Sequence, residues 1–330
     1  MADTNDSVGI IAPQAVKQVG IVGTGTIGSA WAAHFLARGL DVIATDPHPD
    51  AEKKLRIAVD NAWPSLEQLG LADEASRDRL RFTPAIDEAL KDTDFIQEST
   101  PEQEKIKDKV MADISRVAPP HVVIASSTSG IVPTRLQAQC KHPERMIVGH
   151  PFNPVYLIPL VEVVGGKHTA PETIHWAMEF YQHRGKTPLH CRAEIPGHLA
   201  NRLQDAIGGE MMNLIAEGIA TASDLDAALT AGPGLRWALL GSFMTGHMAA
   251  GEGGLREVFN GKFGEIHSYI QYPDLNEEAI EGILEETQLQ VAGRSLKDME
   301  QMRDEFLVGL LKLRAEIEAK YGFDQSRFLK

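Results

Sequence analysis

The chain has 330 residues, enough for two domains, and a formal net charge of −14, which excludes nucleic-acid binding through a basic face. No uncharged apolar run reaches the roughly 18 residues that a membrane span needs, and the N-terminus has no signal-peptide pattern, so we expect neither a span nor a leader. Cys140 and Cys191 are far apart and lack metal-ligand spacing. This cysteine usage is typical of reduced thiols in a soluble cytoplasmic protein without a metal site.

A glycine-rich segment connects the first predicted strand to the first predicted helix. Gly23 permits a tight turn off the strand, Gly25 permits close approach to a pyrophosphate, and Gly28 lets the helix pack near the strand. The helix N-terminus offers free N–H groups and the positive end of its dipole to phosphates. We therefore expect dinucleotide contacts at Gly23, Thr24, Gly25, Thr26, Ile27 and Gly28.

An acidic residue ends the second predicted strand, Asp41–Asp46. Asp46 follows the glycines by about 20 residues, the spacing at which a carboxylate binds the adenosine ribose hydroxyls. The same charge repels a 2′-phosphate, so the sequence favours NAD over NADP. A glycine-rich turn without a ligand is the alternative, and the strand–helix context argues against it.

Predicted strands and helices alternate over residues 17–192. Further strands are predicted at Leu80–Thr83, Asp94–Thr100, His121–Ser126, Arg145–Gly149, Leu157–Val164 and Pro188–Arg192. Helices are predicted at Asp87–Lys91, Lys105–Val117 and Pro171–Gly185, with two more over 51–80 separated by a turn at Leu69-Gly70. This alternation predicts an α/β fold with a Rossmann-type, doubly wound, mostly parallel sheet, whose site lies beyond the carboxyl ends of the strands.

Strand signals mostly stop after Ile195-Pro-Gly197. Apolar residues then recur at helical spacing over Leu199–Leu214 and again over Leu296–Ile317, and Ser223-Asp224 is a candidate helix cap. We therefore predict an NAD-binding domain over 1–195 and an all-helical C-terminal domain over 196–330.

His150 and Glu162 are the candidate catalytic pair. His150 ends a predicted strand next to a proline, and histidine is the usual general base near neutral pH. Glu162 lies inside an apolar strand, where a charge must be paired. Pairing with His150 would satisfy it and orient the imidazole. A partly exposed edge-strand glutamate is the alternative.

Two polar residues lie where a cleft is expected. Ser129 follows a strand in Ser126-Ser-Thr-Ser129, where hydroxyls can bind a cofactor or substrate oxygen, although a polar turn explains these residues equally well. Asn201 lies early in the first helix of the second domain and can face the cleft; a capping or surface role is the alternative.

These residues, in this order after a dinucleotide motif, resemble the 3-hydroxyacyl-CoA dehydrogenase family from Gln18 to about Gly254. The family pattern of active-site Ser, His, Glu and Asn falls on Ser129, His150, Glu162 and Asn201. The family's Glu-x(4)-Lys near the cofactor falls on Glu102 and Lys107. The resemblance implies NAD as cofactor and a homodimer that forms through the helical domain.

Departures from the family pattern concern the substrate. Phe152 follows Pro151 where the family usually has an aromatic pair, and Pro196-Gly197-His198 replaces Pro-Gly-Phe. Segment 51–80 lacks the basic run that would grip CoA. The chain most resembles the branch that acts on free hydroxy acids, which implies a small-molecule substrate: L-carnitine first, with L-gulonate or a 3-hydroxyacyl-CoA as alternatives. The remaining alternative is that this chain is a crystallin-like, non-enzymatic protein.

A trimethylammonium substrate suggests a further set of residues. Phe152, Trp237 and Phe243 are candidates for an aromatic cage, although each could be a core aromatic. Small residues near the predicted pocket that leave room for methyl groups are Gly197, Ala200 and Gly232. Arg202 and Arg236 are equal candidates to meet the substrate carboxylate.

Overall fold

The computed structural model describes residues 10–260 and 276–321. The chain divides into two compact bodies, Met1–Ala206 and Ile207–Lys330. The sequence-based boundary after residue 195 lies ahead of this division and stays a prediction.

The first body contains one eight-stranded sheet in the order β3-β2-β1-β4-β5-β6-β7-β8. The strands are β1 Gln18–Val22, β2 Asp41–Thr45, β3 Leu80–Phe82, β4 Phe95–Glu98, β5 Val123–Ser126, β6 Met146–Pro151, β7 Leu160–Gly165 and β8 Thr187–Cys191. All neighbours pair in parallel except β6 and β7, which are antiparallel. The predicted Rossmann-type, mostly parallel sheet is confirmed.

Helices connect the strands and cover both faces of the sheet. They are α1 Thr26–Ala37, α2 Ala51–Leu69, α3 Ile86–Leu90, α4 Glu104–Val117, α5 Pro133–Gln137, α6 Pro171–His183 and the start of α7 Ala200–Ala216. Short 3₁₀ turns occur at Pro13–Ala15, Arg77–Arg79 and Pro143–Arg145. These bounds confirm the helices predicted at 87–91, 105–117 and 171–185.

Alternate residues of one strand pack into two different apolar clusters. In β1, Ile21 joins a cluster rich in aromatic rings, which contains Trp31, Phe35, Phe95 and Phe180. The next residue, Val22, joins the cluster on the other face of the sheet with Met111 and Ile114. Side chains of a strand alternate between faces, so both faces of the sheet are buried under helices, as in a doubly wound fold.

Two sequence-based expectations for the first body were wrong in detail. Segment 51–80 forms one α-helix, with Pro64 inside it, followed only by a 3₁₀ turn. The expected turn at Gly70 is present, with φ of +92°. Strand β7 begins at Leu160 and not at Leu157, because the backbone N–H groups of Leu157 and Ile158 both donate to the carbonyl of Pro154 in a turn.

The described part of the second body is helical, as predicted. After α7 come α8 Ala222–Ala231, α9 Pro233–Trp237, α10 Ser242–Ala249, a 3₁₀ turn Gly251–Gly253, α11 Gly254–Phe259, α12 Glu277–Val291 and α13 Leu296–Tyr321. Its apolar cluster includes Leu240, Met244, Met248, Val291 and Met299. Across residues 10–260 and 276–321, we find no helix that is both long and apolar enough to span a bilayer.

The cap of α8 differs from the one expected. Thr221, and not Ser223, is the N-cap: its hydroxyl accepts from Asp224 N, while the Asp224 carboxylate accepts from Thr221 N at 2.9 Å. The two residues are three apart, and each satisfies a backbone donor of the other.

Candidate active site

The glycine loop connects β1 to α1 with a geometry that requires glycine. Gly23 has φ of +88°, and its N–H donates to the carbonyl of Thr45 at 2.9 Å. A Cβ on Gly28 would lie 1.8 Å from the Gly23 oxygen, so α1 can approach the loop only with glycine there. A Cβ on Gly25 would meet no described atom within 4 Å. Gly25 therefore borders open space, as a phosphate-binding position should.

A cleft of about 830 Å³ opens beyond the carboxyl ends of β1 and β2. Its lining includes Gly23, Thr24, Gly25, Thr26, Ile27 and Asp46. Only the first turn of α2, at Ala51 and Lys54, borders this cleft, so most of segment 51–80 lies elsewhere. The cleft thus combines a helix N-terminus, an open glycine backbone and a strand-end carboxylate, the set that a dinucleotide requires.

Asp46 holds the glycine loop in place. One carboxylate oxygen accepts from the Thr24 N–H at 2.9 Å and from its hydroxyl at 3.2 Å. The other accepts from His48 N at 2.9 Å. Asp46 is only partly buried, so its carboxylate faces the cleft where the ribose hydroxyls are expected.

His150 and Glu162 lie directly opposite each other on the antiparallel strands β6 and β7. Nδ1 of His150 is 2.9 Å from Oε2 of Glu162, and His150 and Glu162 are only 5% and 0% exposed. An ionised carboxylate only accepts hydrogen bonds, so the proton of this bond belongs to His150 Nδ1. In the neutral imidazole, the other ring nitrogen, Nε2, then carries no proton and can take one from a substrate.

The second carboxylate oxygen of Glu162 accepts two backbone hydrogen bonds at the start of α7. The donors are the N–H groups of Leu199 at 2.8 Å and Ala200 at 2.9 Å. Burial alone would raise the pKa of Glu162, but the bonds from His150, Ala200 and Leu199 outweigh it and lower the pKa below its ordinary value. The positive end of the helix dipole acts in the same direction. Glu162 is therefore kept as a carboxylate.

A second cavity, of about 280 Å³, adjoins the dinucleotide cleft. His150 and Ser129 both line it. It shares Ile27, Ser99 and Thr100 with the larger cleft. His150 and Ser129 therefore border the same cavity, next to the dinucleotide cleft.

Glu102 organises the loop that carries Ser129. Its Oε1 accepts from the Thr128 hydroxyl at 2.5 Å, from Gly130 N at 2.9 Å and from Ser129 N at 3.2 Å. Burial acts to raise the pKa of Glu102, but these bonds and the charge of Lys107 hold it below the usual value. Glu102 lines the smaller cavity, next to the place predicted for the cofactor.

Lys107 is buried under the sheet and is paired with a carboxylate that sequence analysis missed. Its ammonium lies 2.9 and 3.1 Å from the two oxygens of Glu98 and 3.1 Å from the Thr100 carbonyl. Lys107 and Glu98 are 1% and 0% exposed. Glu98 also accepts from Ser126 Oγ and Thr100 N. Lys107 does not border the cleft, whereas its neighbours Ile106 and Lys109 do, so its direct cofactor contact stays a prediction.

The sequence itself indicates that Glu98 needs a charged partner. Glu98 lies in the predicted strand Asp94–Thr100 and is the last residue of β4, Phe95–Glu98. The rule that a charge in a buried strand needs a partner, applied to Glu162, applies equally here.

Replacing Lys107 with Met should lower the free energy of unfolding by about 3–5 kcal/mol, because the Glu98 carboxylate would be left buried without its cation. Urea unfolding followed by circular dichroism measures the change. Lys109→Met is the matched control, since Lys109 is 81% exposed and its pair with Asp113 contributes less than about 1 kcal/mol. A loss for Lys107→Met no larger than that of the control would contradict the assignment.

The remaining predicted residues of the first body cluster around the same pair. The Phe152 ring lies 4.9 Å from the His150 ring, edge to face. Gly197, with φ of +77°, begins the turn into α7, and Ala200 supplies one of the bonds to Glu162. Asn201 follows in the first turn of α7 and is half-buried. Their roles toward a substrate stay predictions.

Gly232, Trp237 and Phe243 belong to the second body. Gly232 separates α8 from α9, Trp237 ends α9, and Phe243 lies in the first turn of α10. Trp237 and Phe243 are 39% and 55% exposed, so neither is a core aromatic. Their place in the substrate pocket stays a prediction.

Known proteins resemble this chain in both fold and sequence. Residues 18–195 match the NAD binding domain of 3-hydroxyacyl-CoA dehydrogenase, and residues 197–286 match its C-terminal domain. An L-carnitine dehydrogenase of Bacillus cereus is 48% identical over 90% of this chain and 92% of its own length. One from Pseudomonas aeruginosa is 46% identical over 93% of this chain and 97% of its own length.

Solved structures agree with these matches. A 5-formyl-3-hydroxy-2-methylpyridine-4-carboxylic acid 5-dehydrogenase, an NAD⁺-dependent dismutase, has a TM-score of 0.71 and 28% identity over 90% of this chain and 98% of its own. The 3-hydroxybutyryl-CoA dehydrogenase of Escherichia coli has a TM-score of 0.61 and 29% identity over 71% of this chain and 49% of its own. This chain belongs to the 3-hydroxyacyl-CoA dehydrogenase family and is an NAD-dependent dehydrogenase.

Proposed function

We propose that this chain oxidises L-carnitine to 3-dehydrocarnitine with NAD. The observation that carries the proposal is the buried His150–Glu162 pair, whose histidine borders a cavity that shares lining residues with the dinucleotide cleft. The choice of substrate is supported by relatives named L-carnitine dehydrogenase at 44–48% identity over nearly the whole chain.

His150 acts as the general base. Its Nε2 takes the proton of the substrate 3-hydroxyl, and its Nδ1–H stays bound to Glu162. Glu162 stabilises the imidazolium that forms, because its own charge is held by the two N–H groups of α7. Ser129 and Asn201 donate hydrogen bonds to the reacting oxygen. When bound, NAD supplies the nicotinamide carbon that accepts the hydride.

The trimethylammonium group of carnitine calls for aromatic faces. Phe152, which packs against His150, is the first candidate. The sequence adds Trp237 and Phe243 as candidates. Gly197, Ala200 and Gly232 leave room for the methyl groups because they carry little or no side chain.

The proposal is tested by adding L-carnitine, D-carnitine or L-gulonate to the protein with NAD and following NADH absorbance. We expect turnover with L-carnitine and little with the other two. Turnover with L-gulonate alone would move the assignment to a sugar acid. No NADH with any of them would favour a crystallin-like, non-enzymatic role.

Replacing Asp46 with Asn should raise the ratio of kcat/KM for NADP to that for NAD by about tenfold, which corresponds to about 1.4 kcal/mol. The change removes the charge that repels a 2′-phosphate at the end of β2. Steady-state kinetics with both cofactors measures the ratio, and the exposed Asp73→Asn serves as control. An unchanged cofactor ratio would exclude Asp46 as the discriminating residue.

We also propose a homodimer in the cytoplasm. Apolar side chains of the α7 segment are exposed, with Leu203 and Met212 both at 67% and Ile219 beyond its end at 64%, as an interface helix requires. Both cysteines are free thiols, which suits a reducing compartment. Light scattering should give twice the chain mass of 36.1 kDa; a mass of one chain would exclude the dimer.

A further inference from the structure

His198 is completely buried beside the catalytic pair. It is 0% exposed, and its ring centroid lies 5.1 Å from that of His150. Its φ of +51° follows the +77° of Gly197, so two successive residues have left-handed backbone. This conformation is rare for a residue with a large side chain, and such strain persists only where the surrounding contacts hold it.

The side chain of His198 binds the loop that carries Ser129. Its Nε2 lies 3.1 Å from the carbonyl oxygen of Thr128. A carbonyl only accepts, so Nε2 carries the proton. Burial lowers the pKa of His198 and the bond to Thr128 raises it, and the lowering is the larger effect.

That carbonyl belongs to the same peptide unit as the N–H of Ser129. The N–H donates to Oε1 of Glu102 at 3.2 Å, while the carbonyl accepts from His198. In a trans peptide the two groups point in opposite directions. The Thr128–Ser129 peptide is therefore held from both sides, which fixes the Cα of Ser129. The N–H of Gly130 is bound to the same Glu102 oxygen at 2.9 Å, which restrains the backbone on the other side of Ser129.

The same histidine directly precedes the backbone N–H groups that bind Glu162. The two residues after it, Leu199 and Ala200, donate their N–H groups to one Glu162 oxygen, whose carboxylate binds His150. His198 thus connects the Ser129 loop to the turn that orients the base.

We propose that His198 is a positioning residue for the oxidation, which acts through its hydrogen bond to the Thr128 carbonyl to hold Ser129 in register with the His150–Glu162 pair. This inference rests on the proposed role of Ser129. The family pattern has a phenylalanine at this position, and a phenylalanine ring cannot make this bond.

Three variants separate the hydrogen bond from the backbone conformation. His198→Phe keeps an aromatic ring without a donor. His198→Gln keeps a donor near the position of Nε2. His198→Asn tolerates left-handed backbone best but is too short to reach Thr128. We expect kcat to fall about tenfold for the Phe and Asn variants, because each loses one hydrogen bond. We expect a fall of less than about threefold for the Gln variant, which keeps the donor.

The route through Ser129 is tested by a double-mutant cycle. His198→Phe should cost less than about twofold in kcat when introduced into Ser129→Ala, because the positioned group is already absent. All assays use whichever hydroxy acid the wild-type chain oxidises, and the exposed His190→Phe controls for loss of a histidine. NADH affinity should stay near that of the wild type.

Each other outcome overturns the inference. Wild-type kcat for His198→Asn with an impaired His198→Gln would assign the effect to backbone conformation. A full tenfold loss in the Ser129→Ala background would mean that His198 acts independently of Ser129. Wild-type kcat of Ser129→Ala itself would reject the proposed role of Ser129 together with this route.

Discussion

Replacing His150 with Gln is expected to lower kcat for L-carnitine by about 10²–10⁴-fold, the usual contribution of a general base. NADH binding should change little, because the residues around the glycine loop and Asp46 that line the dinucleotide cleft do not include His150. Steady-state kinetics gives kcat, and fluorescence titration gives the affinity for NADH.

The matched control is His190→Gln, which changes an exposed histidine on β8. It should leave kcat and NADH affinity unchanged. If His150→Gln retained wild-type turnover, His150 would not be the base; if it lost NADH binding as well, its effect would be structural and not catalytic.

Replacing Glu162 with Gln is expected to lower kcat by a similar factor of about 10²–10⁴, although the side chain keeps its size. The amide oxygen can still accept from Leu199 and Ala200, which turns the amide NH₂ toward His150 Nδ1. His150 must then accept at Nδ1 and carry its proton on Nε2. The base would hold the wrong tautomer, so proton transfer from the substrate would be blocked.

Glu179→Gln, on a half-exposed glutamate of α6, is the control and should behave as wild type. Normal kcat for Glu162→Gln would show that the orientation of His150 does not depend on Glu162.

The Glu162→Gln variant should also change how the stability of the protein depends on pH. The pKa of Glu162 in the folded chain is lower than its ordinary value of 4.5. A group with a depressed folded pKa contributes stability above its unfolded pKa and loses it as pH falls through the folded pKa. When the pH is lowered from about 5 through the folded pKa of Glu162, the melting temperature of the wild type should therefore fall further than that of Glu162→Gln. Parallel curves would contradict this linkage.

The dinucleotide half of the site could be predicted from local sequence. Turn chemistry at Gly23, helix packing at Gly28 and the strand end at Asp46 all fall within one β-α-β unit, so neighbouring residues decide the geometry. The pairing of His150 with Glu162 also followed from sequence, because a charge in an apolar strand needs a partner and few partners are available.

The ion-pair partner of Lys107 could not be predicted in this way. The spacing of Lys107 from Glu102 predicted a residue near the cofactor. The structure pairs its ammonium with Glu98, nine residues earlier and on another element, at 2.9 Å, and also places it 3.6 Å from Glu102. Nothing in the spacing specifies which carboxylate a lysine meets, since that depends on how α4 packs against β4.

The sequence by itself determined the α/β fold, the glycine loop with its acidic strand end, and the identities of the catalytic candidates, because each depends on periodicity or on the chemistry of a few adjacent residues. Only the tertiary structure decided that β7 runs antiparallel to β6, which sets His150 opposite Glu162, and that α7 begins where its N–H groups meet that carboxylate. It also decided that His198 reaches Thr128, 70 residues earlier. These contacts join segments that are distant in sequence, and only packing sets their register.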